Sequence, residues 1–135
     1  MTDADAAAPT RIYIDLIGDL FHAGHLRHLE KAAKLGNILV VGVFDDETAA
    51  RLSHVPVVPL DERVAILAAL RCVHEIIPGA PAAPDIAFLD KYDIESICLS
   101  DDYGDAERQS ALANLMDEGA GIVLPYVEDI TTSRI

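Results

Sequence analysis

The segment "HAGH" sets His22 and His25 three residues apart with Gly24 between them, after an apolar run at 11–17 and before a helical pattern. Imidazoles can donate hydrogen bonds to an oxyanion. A helix start adds unpaired backbone N–H groups and the positive end of the helix dipole. Together these suit a phosphorus centre, where two flanking donors would stabilise charge growing on its oxygens during in-line displacement, with no covalent intermediate. Gly24 has no side chain to keep an anion from the backbone. A second cluster, "DITTS" at 129–133, puts a capping residue before Thr131, Thr132 and Ser133, and free N–H groups there also fit a phosphate. Arg63 and Arg71 are eight apart, about two helical turns, and are expected on one helix face. Taken singly, each feature also fits a plainer role: surface histidines, simple capping, or arginines paired with surface acids.

The elements that must position these groups follow from patterning. Apolar, β-branched runs at 11–17, 37–44, 73–78, 94–100 and 121–127 read as strands. Between them, helical spacing begins at Leu26 and Leu29 with Gly36 as the stop, covers "DETAARL", and covers "ERVAILAALR" with Asp61 as its cap. It returns in "DIAFLDKY" and in "AERQSALANLMDEG", which stops at Gly119. Strands apolar on both faces, alternating with helices, predict an α/β fold: a Rossmann-like, parallel five-stranded sheet with helices on both faces. Ligands of such sheets bind beyond the carboxyl ends of the strands. His22 and His25, "SDDY" and "DITTS" all fall at such ends.

The chain has 135 residues, 51% of them hydrophobic, and a net charge of −13. This predicts one globular domain over 11–135 behind a flexible leader at 1–10. The acidity argues against nucleic acid and anionic membrane as partners. No apolar run approaches the roughly 20 residues of a membrane span. Cys72 and Cys98 lie in apolar contexts without metal spacing and read as reduced thiols of a cytoplasmic protein.

In four blocks the sequence resembles the nucleotidyltransferases with an H-x-G-H motif, and within them the small cytidylyltransferases that act on glycerol 3-phosphate, phosphocholine and phosphoethanolamine. The blocks are "DLFHAGHLRHLEKAAKLGNILVVGVFDDE", "ERVAILAALRCVHEIIPGAP", "SDDY" and "ITTSRI", in that order. The resemblance implies transfer of CMP from CTP to a small phosphorylated alcohol or phosphonate, with release of diphosphate and with Mg²⁺ on the phosphates. No side-chain metal cage is implied. His22 and His25 would contact the α-phosphate, and Arg63 would serve the active site. Asp19, Arg71, Asp102 and Tyr103 would bind nucleotide, with Thr131, Thr132 and Ser133 holding the β- and γ-phosphates. Ile17, Gly18, Gly24 and Ile130 complete that set. A homodimer is also implied.

The chain departs from the family pattern where the closing block usually carries Arg-Thr-x-Gly; here stand Tyr126, Val127, Glu128 and Asp129. Leu52 and His54 match positions that often bring lysines to the phosphates, leaving Arg51 and His54 as substitutes. Two other readings therefore stand beside the first: an adenylyltransferase using ATP, and a nucleotide-binding or regulatory domain without turnover. An acidic site favours an acceptor with a cationic head group.

Overall fold

In a computed structural model of the chain, residues 10–99 and 104–124 are described. Five strands alternate with helices: β1 (Arg11–Leu16), α1 (Ala23–Ala33), β2 (Ile38–Val43), α2 (Asp46–Leu52), α3 (Leu60–Ala68), β3 (Glu75–Pro78), α4 (Ile86–Lys91), β4 (Ser96–Leu99), α5 (Ala106–Asp117) and β5 (Gly121–Val123). All pairings are parallel and the strand order is β3-β2-β1-β4-β5. The order reverses beside β1, the point in such sheets where ligands bind.

Alternation along the strands divides the core. Ile12 and Ile14 of β1, with Leu39, Val41 and Val43, pack under Leu29 and Ala32 of α1 and Leu67 of α3. Tyr13, Val40 and Ile97 face the other way, against Leu89 of α4 and Leu112 and Leu115 of α5. Leu29 is fully buried, and Leu29→Ala is expected to cost about 2–5 kcal/mol. A smaller cluster of Phe44, Ala49, Leu52 and Ala80 closes the carboxyl edge of the sheet under α2.

Three local expectations are corrected. Gly36 does not stop α1; the helix ends at Ala33 with Lys34 as its cap. A Cβ at Gly36 would lie 2.8 Å from the Thr10 carbonyl, so this glycine serves a close backbone approach. Asp61 does not cap α3, whose N-cap is Pro59. The helix also ends at Ala68, so Arg71 lies beyond it and shares no helical face with Arg63. The closing segment at 129–133 lies outside the described residues.

Candidate active site

β1 runs into a turn through Ile17, Gly18 (φ 73°), Asp19 and Leu20 (φ 47°), then Phe21 and the start of α1. Leu20 holds a left-handed conformation unusual for a branched side chain, so the turn before the histidines is strained. His22 is the N-cap of α1, and the two histidines cap the helix reciprocally. His22 Nδ1 accepts from the Gly24 N–H at 3.0 Å, and the His25 backbone also reaches the His22 side chain. His25 Nδ1 in turn accepts from the His22 N–H at 3.1 Å. An imidazole nitrogen that accepts carries no proton, so both rings are held as Nε2–H tautomers. The rings lie 4.1 Å apart, and Phe21 stacks on His25 at 5.3 Å.

This geometry corrects one expectation about Gly24. Its N–H is used by His22, so the imidazole Nε2–H groups, rather than the Gly24 amide, are presented outward. Burial, then the neighbouring His22 and His28, hold His25 below the ordinary imidazole value. It is therefore a neutral donor near neutral pH.

The field at this helix start is unusual for so acidic a chain. α2, α4 and α5 are capped by Asp45, Asp85 and Asp105, and α3 carries Asp61 and Glu62 in its first turn. Among the five described helices, α1 alone has neither an acidic cap nor an acid in its first turn. Its positive dipole end is left for an anionic ligand.

Arg63 is placed at the site but does not face into it. It is fully buried. Its Nε donates to the Val58 carbonyl at 2.8 Å, and its Nη1 to the Ile17 and Phe44 carbonyls at 2.6 and 2.8 Å. Nη2 pairs with Asp46. Arg63 thus clamps the chain after β1, the end of β2 and the loop before α3; it is a positioning residue rather than a catalytic one. Asp19 is likewise taken into the fold. Its carboxylate, 5% exposed, accepts from the Val57 and Val58 amides at 3.0 and 2.9 Å and contacts His54 Nε2 at 3.2 Å. These bonds, Val57 foremost, hold its pKa below the usual carboxylate range.

The expected substitutes for the lysines are also engaged. Arg51 pairs with Asp105 at 3.0 Å, and His54 with Asp19. Arg71 is not brought to the histidines. α3 runs back across the sheet, so the turn between α3 and β3 lies at the amino-terminal edge, opposite His22 and His25. Asp102, Tyr103, Ile130, Thr131, Thr132 and Ser133 lie outside the described residues. Among the described residues, no group of three or more His, Cys, Asp or Glu side chains could hold a metal ion.

Sequence reasoning missed Phe21, the Val57 and Val58 amides, and the pair Asp15–Arg108 at the carboxyl end of β1. The signal for the last was present: an acid within the apolar "RIYIDLI" demands a buried partner.

Comparison with known proteins defines the class. Residues 19–135 match the cytidylyltransferase-like family, and the chain belongs to it. It is 38% identical over 131 residues to the ethanolamine-phosphate cytidylyltransferase of Arabidopsis thaliana, covering 92% of this chain and 31% of that protein. It is 31% identical over 130 residues to the choline-phosphate cytidylyltransferase of Saccharomyces cerevisiae, covering 94% of this chain and 31% of that one. The chain therefore spans about a third of the length of these curated relatives. In fold it is similar to the lipopolysaccharide core biosynthesis protein of Thermoplasma volcanium GSS1, with a TM-score of 0.71 at 21% identity, over 90% of this chain and 98% of that one.

Proposed function

We propose that this chain transfers CMP from CTP to a small phosphorylated alcohol. An oxygen of the acceptor phosphate attacks the α-phosphorus of CTP, the bond to the β-phosphate's bridging oxygen breaks, and diphosphate leaves. The observation that carries the reading is the start of α1: two imidazoles, each accepting a backbone N–H at Nδ1 and so turning Nε2 outward, at the one described helix start free of acids. Those donors meet the α-phosphate oxygens and gain strength as charge develops there. Phe21, Arg63 and Asp19 hold the surrounding turns. Asp102 and Tyr103 receive the nucleoside, and Thr131, Thr132 and Ser133 the outer phosphates. Magnesium enters on the triphosphate as part of the substrate, with phosphate oxygens and water as its ligands.

The protein works as a homodimer in the cytoplasm. Cys72 and Cys98, free among the described residues, fit a reducing compartment. The test is release of diphosphate from Mg·CTP in the presence of phosphorylated alcohols, with ATP in parallel. Release from CTP, lost in His25→Ala, supports the reading. Release from ATP alone makes the chain an adenylyltransferase, and release from neither makes it a domain without turnover.

A further inference from the structure

The carboxyl end of β1 bears on what the acceptor can be. Asp15 sits on the face of β1 that carries Tyr13, and its side chain is 3% exposed. Arg108, in the first turn of α5 and 4% exposed, grips it with a two-pronged contact: Nη1 to Oδ2 at 3.0 Å and Nη2 to Oδ1 at 2.8 Å. Nη1 also donates to the Ala82 carbonyl at 2.9 Å, and the guanidinium lies 5.2 Å from the centre of the Phe44 ring. A carboxylate, a carbonyl and an aromatic face are the groups with which a protein holds an organic cation. Here all three converge beside the point where the strand order reverses, and all three are turned on a cation of the chain itself. A Cβ at Gly104 would meet Arg108 Cδ at 2.7 Å, so the backbone just before α5 lies directly against this side chain.

Among the described residues, four other aspartates at this edge have partners as well. Asp19 holds Val57, Val58 and His54; Asp45 accepts from the Thr48 amide; Asp46 pairs with Arg63, and Asp105 with Arg51. Of these, Asp46 and Asp105 are paired with arginines and Asp19 is 5% exposed, so these carboxylates already have partners within the chain despite its net charge of −13.

The geometry points to Arg108 as a specificity-determining residue: by filling this cation-binding corner itself, it excludes acceptors with an ammonium head group and leaves the site to phosphorylated alcohols whose organic part is uncharged. This rests on the transferase reading above and narrows its acceptor.

The test compares kcat/KM for diphosphate release from Mg·CTP with glycerol 3-phosphate, phosphoethanolamine and phosphocholine. The native protein is expected to favour glycerol 3-phosphate at least ~10-fold over either ammonium compound, a gap of about 1.4 kcal/mol. Arg108→Ala vacates the corner and should move the ratio of phosphoethanolamine to glycerol 3-phosphate at least ~10-fold toward the former, whereas Arg108→Lys, which keeps a cation there, should retain the native order. The native ordering and the lysine variant decide the matter even where the alanine variant does not fold. A native preference for an ammonium acceptor, or a ratio unmoved by Arg108→Ala, overturns the inference while leaving the transferase reading intact. Release of diphosphate with none of the acceptors strikes the transferase reading and this inference with it.

Discussion

Helices α1 and α5 both begin at the carboxyl edge of the sheet, and their starts are chemically opposite. α5 is capped by Asp105, carries Glu107 in its first turn and buries Arg108 against Asp15. Its dipole and its cation are both satisfied within the protein. α1 is capped by His22, whose ring nitrogen accepts the same kind of bond without bringing a negative charge. An aspartate cap stabilises a helix and cancels its field; an imidazole cap stabilises the helix and keeps the field for a ligand. In an acidic protein that difference marks where an anion can bind.

The largest expected effect breaks the frame that holds both starts in place. Arg63→Met leaves the carbonyls of Ile17, Phe44 and Val58 without their donor, along with the Asp46 carboxylate. Urea unfolding should show a loss of about 3 kcal/mol, as expected when several carbonyls lose a charged donor while Asp46 stays half exposed. A loss below about 1 kcal/mol would mean that Arg63 is not the clamp described.

Making α1 resemble α5 is the sharper test of the contrast. His22→Asp keeps an acceptor at the N-cap but replaces the Nε2–H donor with a negative charge. Turnover should fall at least ~100-fold, with weaker CTP binding and an unchanged or raised melting temperature. Turnover within about threefold of native would show that the charge at this start does not matter. Asp85→Ala supplies the counterpart at α4, whose Asp85 accepts from the Phe88 amide at 2.9 Å. It should lower stability by about 1 kcal/mol and leave CTP affinity unchanged.

The smallest effect is in pH. Unfolded His25 takes up its proton near 6.5, whereas the folded ring does so only at lower pH. Between those values the unfolded chain binds more protons, so stability falls as pH falls through that window. Denaturation midpoints from pH 8 to 5 should show this decline, and it should disappear in His25→Ala. Asp19, Asp45 and Glu75 add a second decline: their folded values lie below 3.8, 3.8 and 4.5, so their contribution is lost as pH falls through those lowered values.

The parallel sheet was legible because its strands are apolar on both faces and its helices alternate with them. All five expected strands form, each within the span marked for it. The histidine pair was legible because strand, glycine and helix start are local features. What spacing did not reveal depended on contacts distant in sequence. A spacing of eight from Arg63 to Arg71 suited one helix face, yet the helix ends after Ala68 and its two ends lie at opposite edges of the sheet. Asp19 looked like a ligand-binding carboxylate until the Val57 and Val58 amides were found on it. Arg51 looked available to a phosphate, but Asp105 lies 3.0 Å away across the gap between α2 and α5. Asp19 and Arg51 were read as facing a ligand when the fold had already supplied their partners.

The most direct measurement is ¹⁵N NMR of the histidine rings, before and after addition of Mg·CTP. His22 and His25 are both expected as Nε2–H tautomers near neutral pH, and both Nε2–H signals should move on binding CTP. Nδ1–H tautomers, or rings that do not respond to CTP, would contradict the claim that these two imidazoles receive the nucleotide's phosphate.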